Sequence, residues 1–161
     1  MVRGETPAPQ PADAGATIMG QKLEFRRLAD GPYGIARLAA DAPFPDWAAS
    51  GEFSSVTRTG DELSIVCRIE NLPPDVESPH RWVCLKVEGP FAFSETGVLL
   101  SFIEPLSTRG IPIFAISTYE TDYVLIQEEW AGAALDALRT VGHNLHRNSI
   151  DSAEGSDALP G

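Results

Sequence analysis

Between Trp82 and Arg147 the spacing of apolar residues switches from two to 3.6 and back, twice, and this constrains the fold more than any other feature of the chain. WVCLKVEG (82–89) places Val83, Leu85 and Val87 on one face of a strand and Trp82, Cys84 and Lys86 on the other. In ETGVLLSFIEPLSTRG (95–110), Leu99, Phe102, Ile103 and Leu106 fall at i, i+3, i+4 and i+7, the apolar stripe of an amphipathic helix. Gly110 is placed to end that helix, and Pro105 inside it removes one backbone bond, which predicts a kink near Ser101. IPIFAIS (111–117) and DYVLIQ (122–127) read as the next two strands. EEWAGAALDALRTVG (128–142) reads as a second helix, with Glu128 and Glu129 at its positive end, a stripe of Ala131, Ala134, Leu135 and Leu138, and Gly142 as its stop. HNLHR (143–147) is short enough for an edge strand.

The order β-α-β-β-α-β predicts a ferredoxin-like α+β fold, an antiparallel sheet with both helices on one face. Upstream, strands come in pairs. LEFRRLA (23–29) and YGIARLA (33–39) flank Asp30-Gly31-Pro32, which predicts a hairpin, and FSSVTRT (53–59) and ELSIVCR (62–68) flank Gly60-Asp61, which predicts another. DAPFPDWA (41–48) has room for one helical turn at most, and ENLPPDVESPH (70–80) reads as a linker. SVTRTGDELSIV (55–66) lies on AISTYETDYVLI (115–126) without gaps, setting Val56 against Ile116, Thr57 against Ser117, Glu62 against Asp122 and Ile65 against Leu125. YGIARL lies likewise on WVCLKV. A truncated unit with its linker (22–80) therefore precedes a complete one (81–146). The leader 1–21 is rich in Pro, Ala and Gly, and the tail 147–161 is polar and acidic; both are expected to be disordered.

A formal net charge of -11 repels phosphate backbones and anionic lipid, so neither nucleic acid nor membrane is expected as a partner. No apolar run approaches the roughly 18 residues of a membrane span, and no secretory signal is expected, which points to the cytoplasm. Cys67 and Cys84 sit in strand-like apolar runs and belong to no CxxC pair, as suits buried reduced thiols. His143 and His146 form an HxxH on a strand, where they face opposite sides, so no metal is expected. No Gly-rich phosphate motif is present, and the predicted topology sets no histidine beside Ser117 or Cys84. Neither a cofactor nor catalysis is expected.

One polar interruption stands out. The run IPIFAI stops in STYETD (117–122) before YVLI resumes. In a split βαβ unit this hairpin and the loop GPFAFSETGV (89–98) reach the same rim of the sheet. The loop enters a helix, whose first N–H groups around Thr96, Gly97 and Val98 suit a carboxylate, and Gly97 admits a close approach. Ser117, Thr118 and Thr121 supply hydroxyls, and Asp122 a carboxylate for an ammonium group. Together they suit a free amino acid, with Glu95 placed to read a basic side chain. The same residues also suit plainer roles: Ser94 and Glu95 as helix caps, 117–122 as a solvated turn, Tyr119 and Tyr123 as packing against the sheet.

The segment VCLKVEGPFAFSETGVLLSFIEPLSTRGIPIFAISTYETDYVLIQEE (83–129) resembles the ACT domain of small bacterial proteins similar to the cytosolic arginine sensors called CASTOR, and more distantly the regulatory domains of aspartate kinases. SVTRTGDELSIVC looks like the degenerate ACT-like half that precedes it, and the likeness runs from about Leu23 to Gly142. The resemblance implies a tandem ACT fold, a free amino acid as ligand, and a homodimer. It assigns Phe93, Ser94, Glu95, Thr96, Gly97 and Val98 to the helix-entry loop of an effector site, and Ser117, Thr118, Tyr119, Thr121 and Asp122 to the hairpin facing it. The sensors carry four ACT units and this chain about two, so a complete pocket is expected to need a second copy. A regulatory amino-acid-binding module without catalysis follows from this reading; a dimerisation or interaction module, and a small enzyme, are the rivals.

Overall fold

The computed structural model describes residues 21–147; the predicted leader up to residue 20 and tail beyond 147 lie outside the described residues. The β-α-β-β-α-β order is present as β5 (Trp82–Val87), α1 (Val98–Thr108), β6 (Ile113–Ser117), β7 (Asp122–Gln127), α2 (Ala131–Thr140) and β8 (Asn144–His146). β5 pairs antiparallel with β7, from Trp82↔Gln127 to Lys86↔Tyr123, and β7 pairs antiparallel with β6. Val83, Leu85, Val87, Val124 and Ile126 turn one face of this sheet to Phe102 and Leu106 of α1 and Ala134, Ala137 and Leu138 of α2. Strand alternation and helix stripe thus meet in one core, the ferredoxin-like α+β arrangement. α2 begins three residues later than its apolar pattern suggests. The Glu128 N–H donates to the Arg81 carbonyl at 2.8 Å, continuing the sheet edge, so Glu128–Trp130 form a 3₁₀ turn and the two acids precede α2.

The predicted hairpin over 23–39 is not formed. β1 (Glu24–Arg27) does not pair with β2 (Tyr33–Leu38) but joins the strands of the second unit, antiparallel to β5 (Phe25↔Val87) and parallel to β8 (Phe25↔Leu145). The reason lies in Phe25, fully buried and packed edge-to-face on Phe102 at 5.2 Å, so β1 is bound by the helical core rather than by its sequence neighbour. Edge strand β8 accordingly lies beside β1, not β5.

The first unit keeps β2, β3 (Ser55–Arg58) and β4 (Leu63–Arg68) in the order β3-β4-β2, and joins the second unit in one eight-stranded sheet through the rung Tyr33↔Trp82. A 3₁₀ turn at Asp46–Ala49 stands where a helix would be and buries Ala48 against Leu63, Ile65 and Cys67. The helix-free faces of the two units' strands pack together through Tyr33, Phe53, Val66, Cys84 and Leu125.

The internal repeat is present in the hairpin strands at an offset of 59, one less than the ungapped alignment, with β2 and β5 offset by 49. Rung Tyr33↔Arg68 corresponds to Trp82↔Gln127, Ser55↔Val66 to Phe114↔Leu125, and the Thr59 N–H to Glu62 carbonyl bond to that of Thr118 with Thr121. Ile65 therefore matches Val124, both facing the helix side, whereas the ungapped alignment set it against Leu125 on the opposite face.

Pro105 has no N–H to offer the Ser101 carbonyl one turn earlier in α1. His143, 5% exposed, replaces it: Nε2 meets the Ser101 carbonyl at 2.9 Å, while Nδ1 accepts the Leu23 N–H at 3.0 Å. Both ring nitrogens of His143 are thus engaged in holding α1 to β1. His146, by contrast, is exposed and pairs with Glu24.

Candidate functional site

β5 leaves the sheet at Val87 directly beside the point where β7 enters at Asp122, because the two strands run antiparallel. The α1 entry loop (88–97) and the β6–β7 hairpin (118–121) are therefore neighbours. Two bonds fasten the hairpin to the end of β5 and the loop, and a third closes the hairpin itself. Thr121, 7% exposed, donates its hydroxyl to the Val87 carbonyl at 2.5 Å. The Phe91 N–H donates to the Glu120 carbonyl at 2.9 Å. Within the hairpin, the Thr118 hydroxyl donates to the Thr121 carbonyl at 3.0 Å. Gly89 permits the close approach, since a Cβ there would lie 2.9 Å from the Glu120 oxygen.

Between loop and hairpin runs an open groove of about 330 Å³. One wall is the first turn of α1. Gly97 caps that helix in the left-handed region (φ 79°), and among the described residues no side chain caps it. Ser94 and Glu95 do not take the capping role. They lie upstream of the cap, and the Glu95 carboxylate instead accepts the Ala92 N–H at 3.0 Å, closing a small turn within the loop. The opposite wall is Ser117 and Asp122. Asp122 shares its strand face with Val124 and Ile126, the helix side, and so looks toward α1. Ser117 donates to its Oδ1 at 2.5 Å. Phe93 and Tyr119, 76% and 80% exposed, stack edge-to-face across the mouth with ring centres 4.8 Å apart.

Of the residues singled out in the sequence, Ser94 and Thr96 alone do not line the groove. Thr118 and Thr121 line it, but their hydroxyls are spent on backbone carbonyls, so they build the site rather than present groups to it. Phe91 and Leu99 line it without having been singled out; Leu99 was legible only as part of the helix stripe. Tyr123 packs on the opposite face of the sheet against Phe53, at 4.4 Å, away from the groove.

The first unit shows why the groove opens where it does. At the offset of 59, Ser117 corresponds to Arg58. Arg58 donates to the carbonyls of Ala40 and Ala42 and lies 4.8 Å over the ring of Phe44, which fills the equivalent space between loop and hairpin with a guanidinium. In the second unit a short hydroxyl and a carboxylate leave that space empty of side chain.

The model of the ACT domain family matches residues 77–140. Residues 77–140 carry an ACT domain. A separate model for an N-terminal domain matches residues 31–75, ahead of the ACT domain. A crystal structure of an Agobacterium tumefaciens protein is 47% identical, with a TM-score of 0.73 over 78% of this chain and 93% of that one. A Vibrio cholerae protein described as a possible transport protein shares the fold at 20% identity, with a TM-score of 0.63 over 78% of this chain and 94% of the other. So does the regulatory subunit of aspartate kinase from Thermus thermophilus, at 15% identity and a TM-score of 0.51, over 72% of this ACT protein and 96% of the subunit. Among the described residues of the ACT protein no helix is long and apolar enough to cross a membrane.

Proposed function

We propose that this ACT protein is a regulatory binding protein without catalysis, and that a free amino acid sits in the groove between the α1 entry loop and the β6–β7 hairpin. One observation carries the reading: the N-terminus of α1 at Gly97, which no side chain caps among the described residues, and the carboxylate of Asp122 line the same groove. The helix end suits an α-carboxylate and Asp122 an α-ammonium, a pairing that recognises both charges of the zwitterion. The fold shared with aspartate kinase regulatory subunits, and the resemblance to the arginine sensors, support a regulatory role. In this reading the protein acts in the cytoplasm as a homodimer, a second copy covering Phe93 and Tyr119 at the open mouth. Thermal melts in the presence of each standard amino acid test it, alongside light scattering for the oligomeric state. The reading expects at least one amino acid to raise the melting temperature in a saturable way. A flat screen with a stable dimer would favour a dimerisation module instead.

A further inference from the structure

Beyond the His143 staple, toward the end of α1 away from the groove, α1 and α2 border a second space. Pro105 forms a notch there, and the gap between α1 and the end of α2 holds a cavity of about 290 Å³. Its lining includes Gln21, just ahead of β1, whose Oε1 is buried and has no hydrogen-bond partner among the described residues. Buried acceptors are almost always satisfied in folded proteins, by protein, water or ligand, so this orphan on a residue of the cavity lining marks the place of a missing donor. Two charged side chains share the lining. The Arg109 guanidinium, in no ion pair among the described residues, donates to Thr140 Oγ1 at the long distance of 3.4 Å. Glu104, one turn back on α1, likewise belongs to no ion pair among the described residues. A cation, an anion and an unused acceptor thus surround a space near the small end of the usual range for ligand pockets, roughly 300–1,000 Å³.

We propose that this cavity is a second small-molecule site, distinct from the groove, for a small carboxylate that also carries a hydrogen-bond donor. The carboxylate pairs with Arg109, the donor satisfies Gln21 Oε1, and Glu104 favours an ammonium over a hydroxyl. The site extends beyond the groove reading and does not depend on it.

Glycine and glycolate, which differ only in ammonium against hydroxyl, are the probes. In amide and side-chain NMR of the full chain, each is expected to shift the Gln21 side-chain amide and the Arg109 Nε–H along one saturation curve, glycine saturating at lower concentration. Arg109→Ala and Gln21→Leu should each raise the apparent Kd about tenfold, the loss of one charge-assisted or buried hydrogen bond. Thr108→Trp, which fills the cavity from its exposed rim, should abolish the shifts, and unliganded spectra of each variant report whether the fold is kept. Absence of shifts at Gln21 and Arg109 with both probes would mean that the cavity holds only solvent and would overturn the proposal. Binding that persists unchanged in Arg109→Ala and Thr108→Trp would overturn it equally. Shifts confined to Gly97, Ser117 and Asp122 would support the groove and reject this second site.

Discussion

Ser117 donates its hydroxyl to the Asp122 carboxylate at 2.5 Å across the last rung of the β6–β7 ladder, on the face that looks toward α1. The bond orients the carboxylate without burying it, since Ser117 is exposed and Asp122 half-buried. Such pairs near the surface contribute only about 0–1 kcal/mol to folding. Asp122→Ala is therefore expected to leave the unliganded melt within about 1 kcal/mol of the parent. Ligand stabilisation, about 2.7 kcal/mol at a hundredfold excess over Kd, should vanish in that variant. Differential scanning fluorimetry with and without the amino acid that scores in the screen reads both quantities. A large drop in the unliganded melt would make Asp122 structural.

Thr121, one residue earlier, is expected to behave in the opposite way. Its buried hydroxyl meets the Val87 carbonyl where β5 leaves the sheet. Thr121→Val keeps the volume and removes the donor, which leaves that carbonyl unsatisfied at a cost of about 1–3 kcal/mol. Chemical denaturation should show the loss without ligand, and Thr121→Ser, which keeps the donor, should recover much of it. If Thr121→Val is as stable as the parent, the hydroxyl is not the clamp between loop and hairpin.

The contrast between these two residues marks the limit of what the sequence discloses. The convergence of loop and hairpin follows from the order of strands and helices, because β5 and β7 must be neighbours in a split βαβ unit. That Asp122 faces the groove and Thr121 the backbone depends on strand phase, and both read simply as polar. The repeat slipped by one residue for a similar reason: TGDE and TYET are alike in composition at either register, and only the rungs distinguish them. The period-two faces of β5 and the stripe of α1 were legible because burial follows local spacing. The partner of β1 was not, since Phe25 chooses it through contact with Phe102, distant in the chain. The second engagement of His143 was foreshadowed by Pro105, whose missing N–H leaves the Ser101 carbonyl in search of a donor.

Buried thiols and a buried tyrosine on both faces of the first unit and in β5 predict alkaline sensitivity. Burial, foremost, raises the thiols of Cys84 and Cys67 above their ordinary value. Burial and then the bond to Asp30 raise the Tyr33 hydroxyl. Each group holds its proton longer in the folded state than in the unfolded one. The stability this brings is complete below the unfolded pKa, about 8.5 for the thiols and 10 for the tyrosine, and is lost as pH rises above those values. Each contributes a slope of about 1.4 kcal/mol per pH unit once its unfolded form has ionised. Urea unfolding across that range should show a stability falling with pH, and Cys84→Ala should lessen the slope by about one group's share whatever its effect on stability at pH 7. An unchanged slope in Cys84→Ala would show that this thiol is not protected.

The insertion of β1 between β5 and β8 makes the second unit dependent on residues from the start of the first. A fragment beginning at Arg81 retains the whole β-α-β-β-α-β pattern but lacks the strand that pairs with both β5 and β8. It also lacks Phe25, whose removal from a core costs about 3–5 kcal/mol, and the Leu23 N–H that His143 accepts. Losses of that size approach the whole stability of a small domain, about 5–15 kcal/mol. The fragment 81–147 is expected to show little cooperative unfolding by circular dichroism. Adding a peptide spanning 21–31 in trans should restore a sigmoidal melt in proportion to its concentration, and the same peptide with Phe25→Ala should not. If the fragment alone melts cooperatively, the ACT domain closes its sheet without β1, and the strand exchange is dispensable.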